Sequence, residues 1–90
     1  MRRDMKSDMA ETLALKALAF LLNSPAVRER LTAQSGLDGS TLGPRLEEPE
    51  VLGAILDFLL SDDELLVEFC AAESVSAQSV HLARHILGGQ

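Results

Sequence analysis

The sequence predicts an all-α fold, a compact bundle of five to six short helices. Leucine and alanine dominate an apolar fraction of 47%, and that composition suits helices. Apolar residues recur at helical spacing, and no segment shows sustained period-two alternation. Each predicted corner carries residues that cap or break helices. Ninety residues make one domain, so we expect residues 1–6 to be a disordered N-terminal tail and residues 7–90 a single helical domain.

The first half of the chain is expected to contain three helices. The first spans about 7–22 and the second about 25–34. Ser24 is the natural cap of the second helix, because a proline fits the first helical position that follows it. A third, shorter helix is expected at about 42–46, where Pro44 breaks or bends it.

The second half is expected to contain three further helices, at about 49–60, 62–73 and 77–87. The first two are joined by a very short corner and carry the best-specified part of the core, with Phe58 at its centre. Ser61 and Glu64 have the spacing of a capping box, in which Ser61 would cap the second of these helices. Ser76 is expected to cap the last helix.

The two halves resemble each other at an offset of 38 residues. The matching residues are Leu18, Phe20, Leu21, Leu22, Val27 and Leu31 in the first half and Leu56, Phe58, Leu59, Leu60, Leu65 and Phe69 in the second. One interpretation is that the chain contains two similar three-helix units. The other is that any two capped amphipathic helices in series share such a pattern, and both interpretations remain open.

The first predicted helix is apolar over an unusually wide arc. Its inner face is formed by Met9, Leu13, Ala17, Phe20 and Leu21. Leu15, Leu18 and Leu22 form a second apolar stripe on the far side. A helix of this kind is central to its domain or buries one side in another chain. We therefore expect the second stripe to belong to an interaction surface.

The charge is unevenly distributed. The chain has a net charge of −6, and the segment from Glu47 to Glu73 contains nine acids and no lysine or arginine. We expect Asp57, Asp62 and Asp63 in this segment to contribute to the interaction surface. The acidic balance argues against nucleic acid and against an anionic membrane surface as partners. The expected partner is a second protein or another copy of this chain.

Few residues suggest chemistry. His81 and His85 are four apart on one helix and could share a metal ion, but no neighbouring cysteine or carboxylate completes a site in sequence. Two solvated histidines are the simpler interpretation. Cys70 lies near Glu68 and Glu73, which disfavour a reactive thiolate, so a buried inert thiol is expected. We expect no catalytic residue, no bound metal and no cofactor.

The N-terminal region does not have the pattern of a secretory signal. Three acids precede the apolar run of residues 13–22, and Lys16 interrupts it. The run is also shorter than the roughly 20 apolar residues that a membrane span needs. With a single cysteine, the chain cannot form an intrachain disulfide. These observations favour a soluble, cytoplasmic protein.

Several segments resemble a known family. They are ETLALKALAFL at 11–21, SGLD at 35–38, LDFLL at 56–60 and DDELL at 62–66. Together they are similar to a family of short alphaproteobacterial proteins that is catalogued as a domain of unknown function. The resemblance covers nearly the whole chain after residue 8. It implies an intracellular bacterial protein, and it assigns no functional residue.

Two functions from different classes follow. The first is a small cytoplasmic protein-protein interaction module or adaptor without catalytic activity, which the second apolar stripe and the acidic segment favour. The second is a small enzyme or metal-binding protein that uses His81, His85 and the carboxylates near Asp57. A pocket that brings a histidine together with carboxylates would favour the second.

Overall fold

The computed structural model describes residues 7–35 and 48–88, and these residues form five helices and no strand. We number the helices α1 (Ser7–Leu22), α2 (Pro25–Ser35), α3 (Pro49–Leu60), α4 (Asp63–Glu73) and α5 (Ala77–Leu87). The all-helical prediction is confirmed over this part of the chain. The predicted N-terminal tail and the predicted helix at 42–46 lie outside the described residues.

Three helices form the centre of the bundle. α1, α3 and α5 pack against one another, and each places several fully buried side chains between them. α2 and α4 lie outside these three helices, and each inserts one fully buried large side chain, Leu31 from α2 and Phe69 from α4. Burying a large apolar side chain contributes about 1.5–3 kcal/mol to the stability of the fold. Leu31 and Phe69 therefore make the main contributions to holding the two outer helices on the bundle.

α1 is the central helix predicted from its wide apolar arc. Its alanines Ala10, Ala14 and Ala17 are fully buried, and such small side chains allow the packed helices to approach closely. Met9 was expected on the inner face, and that prediction is wrong because 57% of this residue is exposed. Met9 lies at the edge of the apolar arc, beside a groove between α1 and the start of α5.

The corner between α3 and α4 is built differently from the predicted capping box. Ser61 belongs to the end of α3, where its hydroxyl donates a hydrogen bond to the Phe58 carbonyl oxygen at 2.7 Å. Asp62 has the extended backbone of an N-cap, and its Oδ1 accepts from the Leu65 amide at 3.1 Å. The prediction that Ser61 caps α4 is therefore wrong, and α4 begins one residue later than predicted.

Replacing Asp62 with alanine is expected to lower the melting temperature more than replacing Ser61 with alanine. The first change removes both the cap of α4 and an ion pair in which Arg30 donates to Asp62 at 3.0 Å. The second removes one hydroxyl bond to a helix carbonyl. Thermal unfolding followed by circular dichroism measures both variants, and equal melting temperatures would contradict the assignment of Asp62 as the cap.

The pH dependence provides a second measurement on the same variant. The Leu65 amide first, and then Arg30, lower the pKa of the Asp62 carboxyl below its usual range. The folded state therefore favours the ionised carboxylate, whose stabilisation is complete above the ordinary pKa and is lost as the pH falls through the lower folded-state value. The difference in melting temperature between the wild type and Asp62→Ala should be constant near pH 7 and shrink below about pH 4.

The other corners largely follow the predicted chemistry. The Ser24 hydroxyl accepts from the Val27 amide at 3.5 Å, and the Ser76 hydroxyl accepts from the Ser79 amide at 3.1 Å. Both predicted caps are confirmed. Ser74 follows α4 as its C-cap, and its φ of 57° lies in the left-handed region. This conformation lets the Val75 amide donate a hydrogen bond to the Cys70 carbonyl oxygen.

The structure supports the internal resemblance over two helices of each proposed unit. We call α1–α2 the first hairpin and α3–α4 the second hairpin. The ends of α1 and α3, and both ends of α2 and α4, are separated by 38 residues. The same offset relates the caps Ser24 and Asp62 and the buried residues Leu31 and Phe69. These helix ends, caps and buried residues of the two hairpins therefore share one offset.

Candidate interaction site

Two of the three acids predicted to contact a partner are engaged within the chain. Asp57 on α3 accepts a hydrogen bond from Arg84 on α5 at 2.6 Å. Asp62 caps α4 and forms an ion pair with Arg30 on α2. Asp63 is exposed in the first turn of α4 and forms no ion pair within the described residues. Of the three, only Asp63 is open to a partner without loss of a described contact.

Arg84 fastens α5 to α3. Its guanidinium lies along the buried Gly53, where an added Cβ would sit 3.4 Å from Nη1 of Arg84. The hydrogen bond that Arg84 donates to Asp57 raises the pKa of Arg84 above its ordinary value. Because both side chains are partly exposed, the ion pair contributes little to stability, and the close packing over Gly53 is the more important contact.

Arg30 links the two hairpins. Its guanidinium lies 5.5 Å from the centre of the Phe58 ring, and its Nη2 donates to Oδ2 of Asp62. An arginine over an aromatic face is held by the ring quadrupole, and a carboxylate at its edge adds a charge-assisted hydrogen bond. We call Arg30, Phe58 and Asp62 the arginine clamp. No local pattern in the sequence indicates it, because its residues come from α2, from α3 and from the corner before α4.

The predicted leucine stripe on α1 is not continuously open. Leu18 is 6% exposed and belongs to the core, since α1 is covered by both α3 and α5. Leu15 is 41% exposed, and Leu22 is half-buried against the core. The structure thus separates the three leucines, and Leu15 is the only one that offers a largely accessible side chain to a partner.

The outward side of α4 is a shallow depression lined by Asp63, Glu64, Val67 and Glu68. We call these residues the acidic face. Val67 is 67% exposed, more than any other large apolar residue in the part of the chain that the structure describes. The three carboxylates around it form no ion pair with the described residues. The acidic face therefore combines an exposed apolar centre with uncompensated negative charge.

A second cavity lies beside the acidic face, where α1, α2 and α4 meet. Its apolar wall includes Phe20, Val27 and Leu65, and Ser24 and Glu68 are among its polar residues. We call it the Phe20 pocket, and its volume is about 250 Å³. The Phe20 ring also meets Phe69 edge-to-face, with the ring centres 5.6 Å apart. Because Glu68 borders both the pocket and the acidic face, the two features are contiguous.

Residues 7–90 match the family described as "Protein of unknown function (DUF3572)". The chain belongs to this family. The match covers almost all of the sequence and includes every helix that the structure describes. No curated protein and no solved structure matches the chain. Membership of DUF3572 assigns no activity, so any function for this chain has to be argued from its own residues.

The described part of this DUF3572 chain shows no grouping suited to metal chemistry. His81 and His85 are both exposed on α5, and residues 7–35 and 48–88 contain no group of three or more histidine, cysteine or acidic residues that could hold a metal ion. Cys70 was expected to be buried, and it is instead half-buried against the core. Among the described helices, none combines the length and the apolar character that crossing a bilayer requires.

Proposed function

We propose that this protein is a small cytoplasmic protein-protein interaction module that binds a basic protein partner through the acidic face. The observation that carries the proposal is the position of Val67, which is two-thirds exposed on α4 and surrounded by carboxylates without ion pairs among the described residues. The complementary partner surface has lysines or arginines around an apolar residue.

Helix formation does not explain Val67. Valine is a poorer helix former than alanine or leucine because its branched Cβ restricts the side chain in a helix. Val67 makes little compensating contact, since two-thirds of it is exposed. Val67 is thus an exposed apolar side chain at a position where a polar side chain would favour solubility. A contact with another protein accounts for it.

The acidic and apolar parts of this face have separate physical roles. Carboxylates speed the association with a basic surface, and salt screens that effect within about 10 Å at 0.1 M. Burial of Val67 slows dissociation, because apolar contact contributes mainly to the lifetime of a complex. The described residues contain no group that could hold a metal ion, so nothing among them supports the alternative of a metal-binding protein that uses His81 and His85.

We expect Glu64→Lys to slow association with the captured partner by about threefold to tenfold at low salt and to reduce the salt dependence of the rate. Val67→Ser should mainly raise the dissociation rate, because it removes the apolar centre of the acidic face. The measurement is affinity capture from native cells followed by surface plasmon resonance with the purified partner.

Two control variants make the same kinds of substitution outside the acidic face. Glu29→Lys makes the same charge change on the exposed part of α2, and Leu82→Ser removes an exposed apolar residue from α5. Both should bind within about twofold of the wild type. The proposal would be contradicted if Glu64→Lys associated with the partner, and Val67→Ser dissociated from it, at the wild-type rates.

A further inference from the structure

The two hairpins exchange contacts through equivalent residues. In the arginine clamp, Arg30 of the first hairpin reaches Phe58 and Asp62 of the second hairpin. At the internal offset of 38 residues, these three positions correspond to Glu68, Phe20 and Ser24. All three line the Phe20 pocket, in which Glu68 of the second hairpin stands beside Phe20 and Ser24 of the first. The two sites share an aromatic ring, but Glu68 stands at the position of Arg30 and Ser24 at the position of Asp62.

Among the described residues, only one of the two sites contains a cation. Arg30 lies over the Phe58 ring, whereas Phe20 lines a cavity of about 250 Å³ that Glu68 also lines. Glu68 is exposed and forms no ion pair with the described residues. The Phe20 pocket therefore combines an aromatic ring with a carboxylate that stands at the position of the clamp's arginine, and no described cation neutralises this carboxylate.

We propose that the Phe20 pocket binds an arginine side chain of the protein partner. This inference rests on the proposed function, because it names the residue with which the basic partner is anchored. The arginine clamp shows in the same molecule that a guanidinium can lie over an aromatic ring and donate to a carboxylate. Here the Phe20 ring receives the guanidinium plane, and Glu68 accepts its N–H groups.

Arginine fits this pocket better than lysine or an apolar side chain. A guanidinium is planar and weakly hydrated, so it stacks on an aromatic face and presents N–H groups to a carboxylate in the same plane. A lysine ammonium is a strongly hydrated point charge that cannot do both. An apolar side chain would cover Phe20 and Leu65 but would leave Glu68 without a partner.

Titration with a small arginine probe tests the pocket without the partner. We expect N-acetyl-arginine amide to shift the backbone amide resonances of Asn23, Ser24 and Glu68 saturably, with a dissociation constant in the millimolar range for so small a ligand. N-acetyl-citrulline amide has the same shape without the charge, and it should bind several-fold more weakly. Absence of a saturable shift, or equal binding of N-acetyl-leucine amide, would overturn the proposal.

Variants of the pocket provide the matched comparison. Glu68→Gln and Phe20→Leu should each weaken binding of the arginine probe several-fold, whereas Glu29→Gln on α2 should leave it unchanged. Heteronuclear NMR spectra establish that each variant is folded before the titration. If Glu68→Gln and Phe20→Leu bind the probe as well as the wild type does, the pocket is not the site.

A double variant tests whether the cavity has the shape of the arginine clamp. Ser24→Asp together with Glu68→Arg recreates the pattern of Asp62 and Arg30 around the Phe20 ring. The double variant should have a higher melting temperature than the two single changes predict by addition, and it should no longer bind N-acetyl-arginine amide, because its own arginine fills the pocket. Additive melting temperatures with undiminished probe binding would overturn the proposal.

The outcome for the partner separates this inference from the proposed function. If Glu64→Lys, Val67→Ser and Phe20→Leu all weaken binding of the partner, the result supports both the acidic face as the interaction surface and the Phe20 pocket as the arginine site. A partner that responds to the first two variants but binds Phe20→Leu as it binds the wild type overturns the arginine anchor and leaves the acidic face as the interaction surface.

Discussion

Replacing Phe69 with alanine is expected to lower the free energy of unfolding by about 3–5 kcal/mol. Phe69 is fully buried and is the only buried residue of α4, and its ring packs edge-to-face against Phe20. Truncation removes the apolar transfer energy of the ring and leaves a cavity beneath an outer helix whose other large apolar residues, Leu65 and Leu66, are only partly buried. Such a loss is a large part of the roughly 5–15 kcal/mol that stabilises a small domain.

Chemical denaturation followed by circular dichroism measures this change, and Phe69→Leu is its matched control. Leucine is the residue at the equivalent position of the first hairpin, where Leu31 is fully buried. We therefore expect Phe69→Leu to retain most of the stability that Phe69→Ala loses. Equal losses for the two variants would show that the edge-to-face contact and the shape of the ring, rather than burial alone, hold α4 in place.

Replacing Phe58 with alanine is the second large effect, also expected at about 3–5 kcal/mol. Phe58 was predicted at the centre of the core, and it is 4% exposed. The change removes its apolar burial and also the ring over which Arg30 lies. Because Arg30 holds α2 to the second hairpin, α2 should lose protection against hydrogen exchange more than α5 does.

Phe20→Ala is the control for this prediction. Phe20 is the equivalent residue of the first hairpin, but it is half-buried and no cation of the described residues lies over its ring. The loss of stability should therefore be smaller than that of Phe58→Ala. A Phe58→Ala variant with the melting temperature of the wild type would contradict the burial of this ring and its part in the arginine clamp.

The corner between α3 and α4 shows how a local pattern predicts an element and misplaces its details. Ser61 and Glu64 have the spacing of a capping box, and the sequence does place a helix start within one residue. Asp62 is an equally good cap chemically. The choice between them follows from α3, which continues through Leu60 and takes Ser61 into its final hydrogen bonds. Asp62 is also held by Arg30, a residue 32 positions away.

The candidate site was predicted only in part. The excess of acids in the second half of the chain is visible in the composition, and Asp63 lies on the acidic face. Asp57 and Asp62 are instead paired with arginines from α5 and α2. Val67 was not singled out, because one valine in a helical segment is ordinary until its exposure is known. The Phe20 pocket draws on three helices and had no local signal.

The helical class, most helix ends and the offset of 38 residues between the hairpins were predictable from the sequence alone. These features depend on helix periodicity, caps and breakers, which act over a few neighbouring residues. The covered apolar stripe of α1, the pairing of the acids and the position of Arg30 became visible only in the packed structure. Those outcomes depend on contacts between helices far apart in the chain. A period of 3.6 residues tells which side chains share a face, but the neighbouring helices decide whether that face meets protein or water.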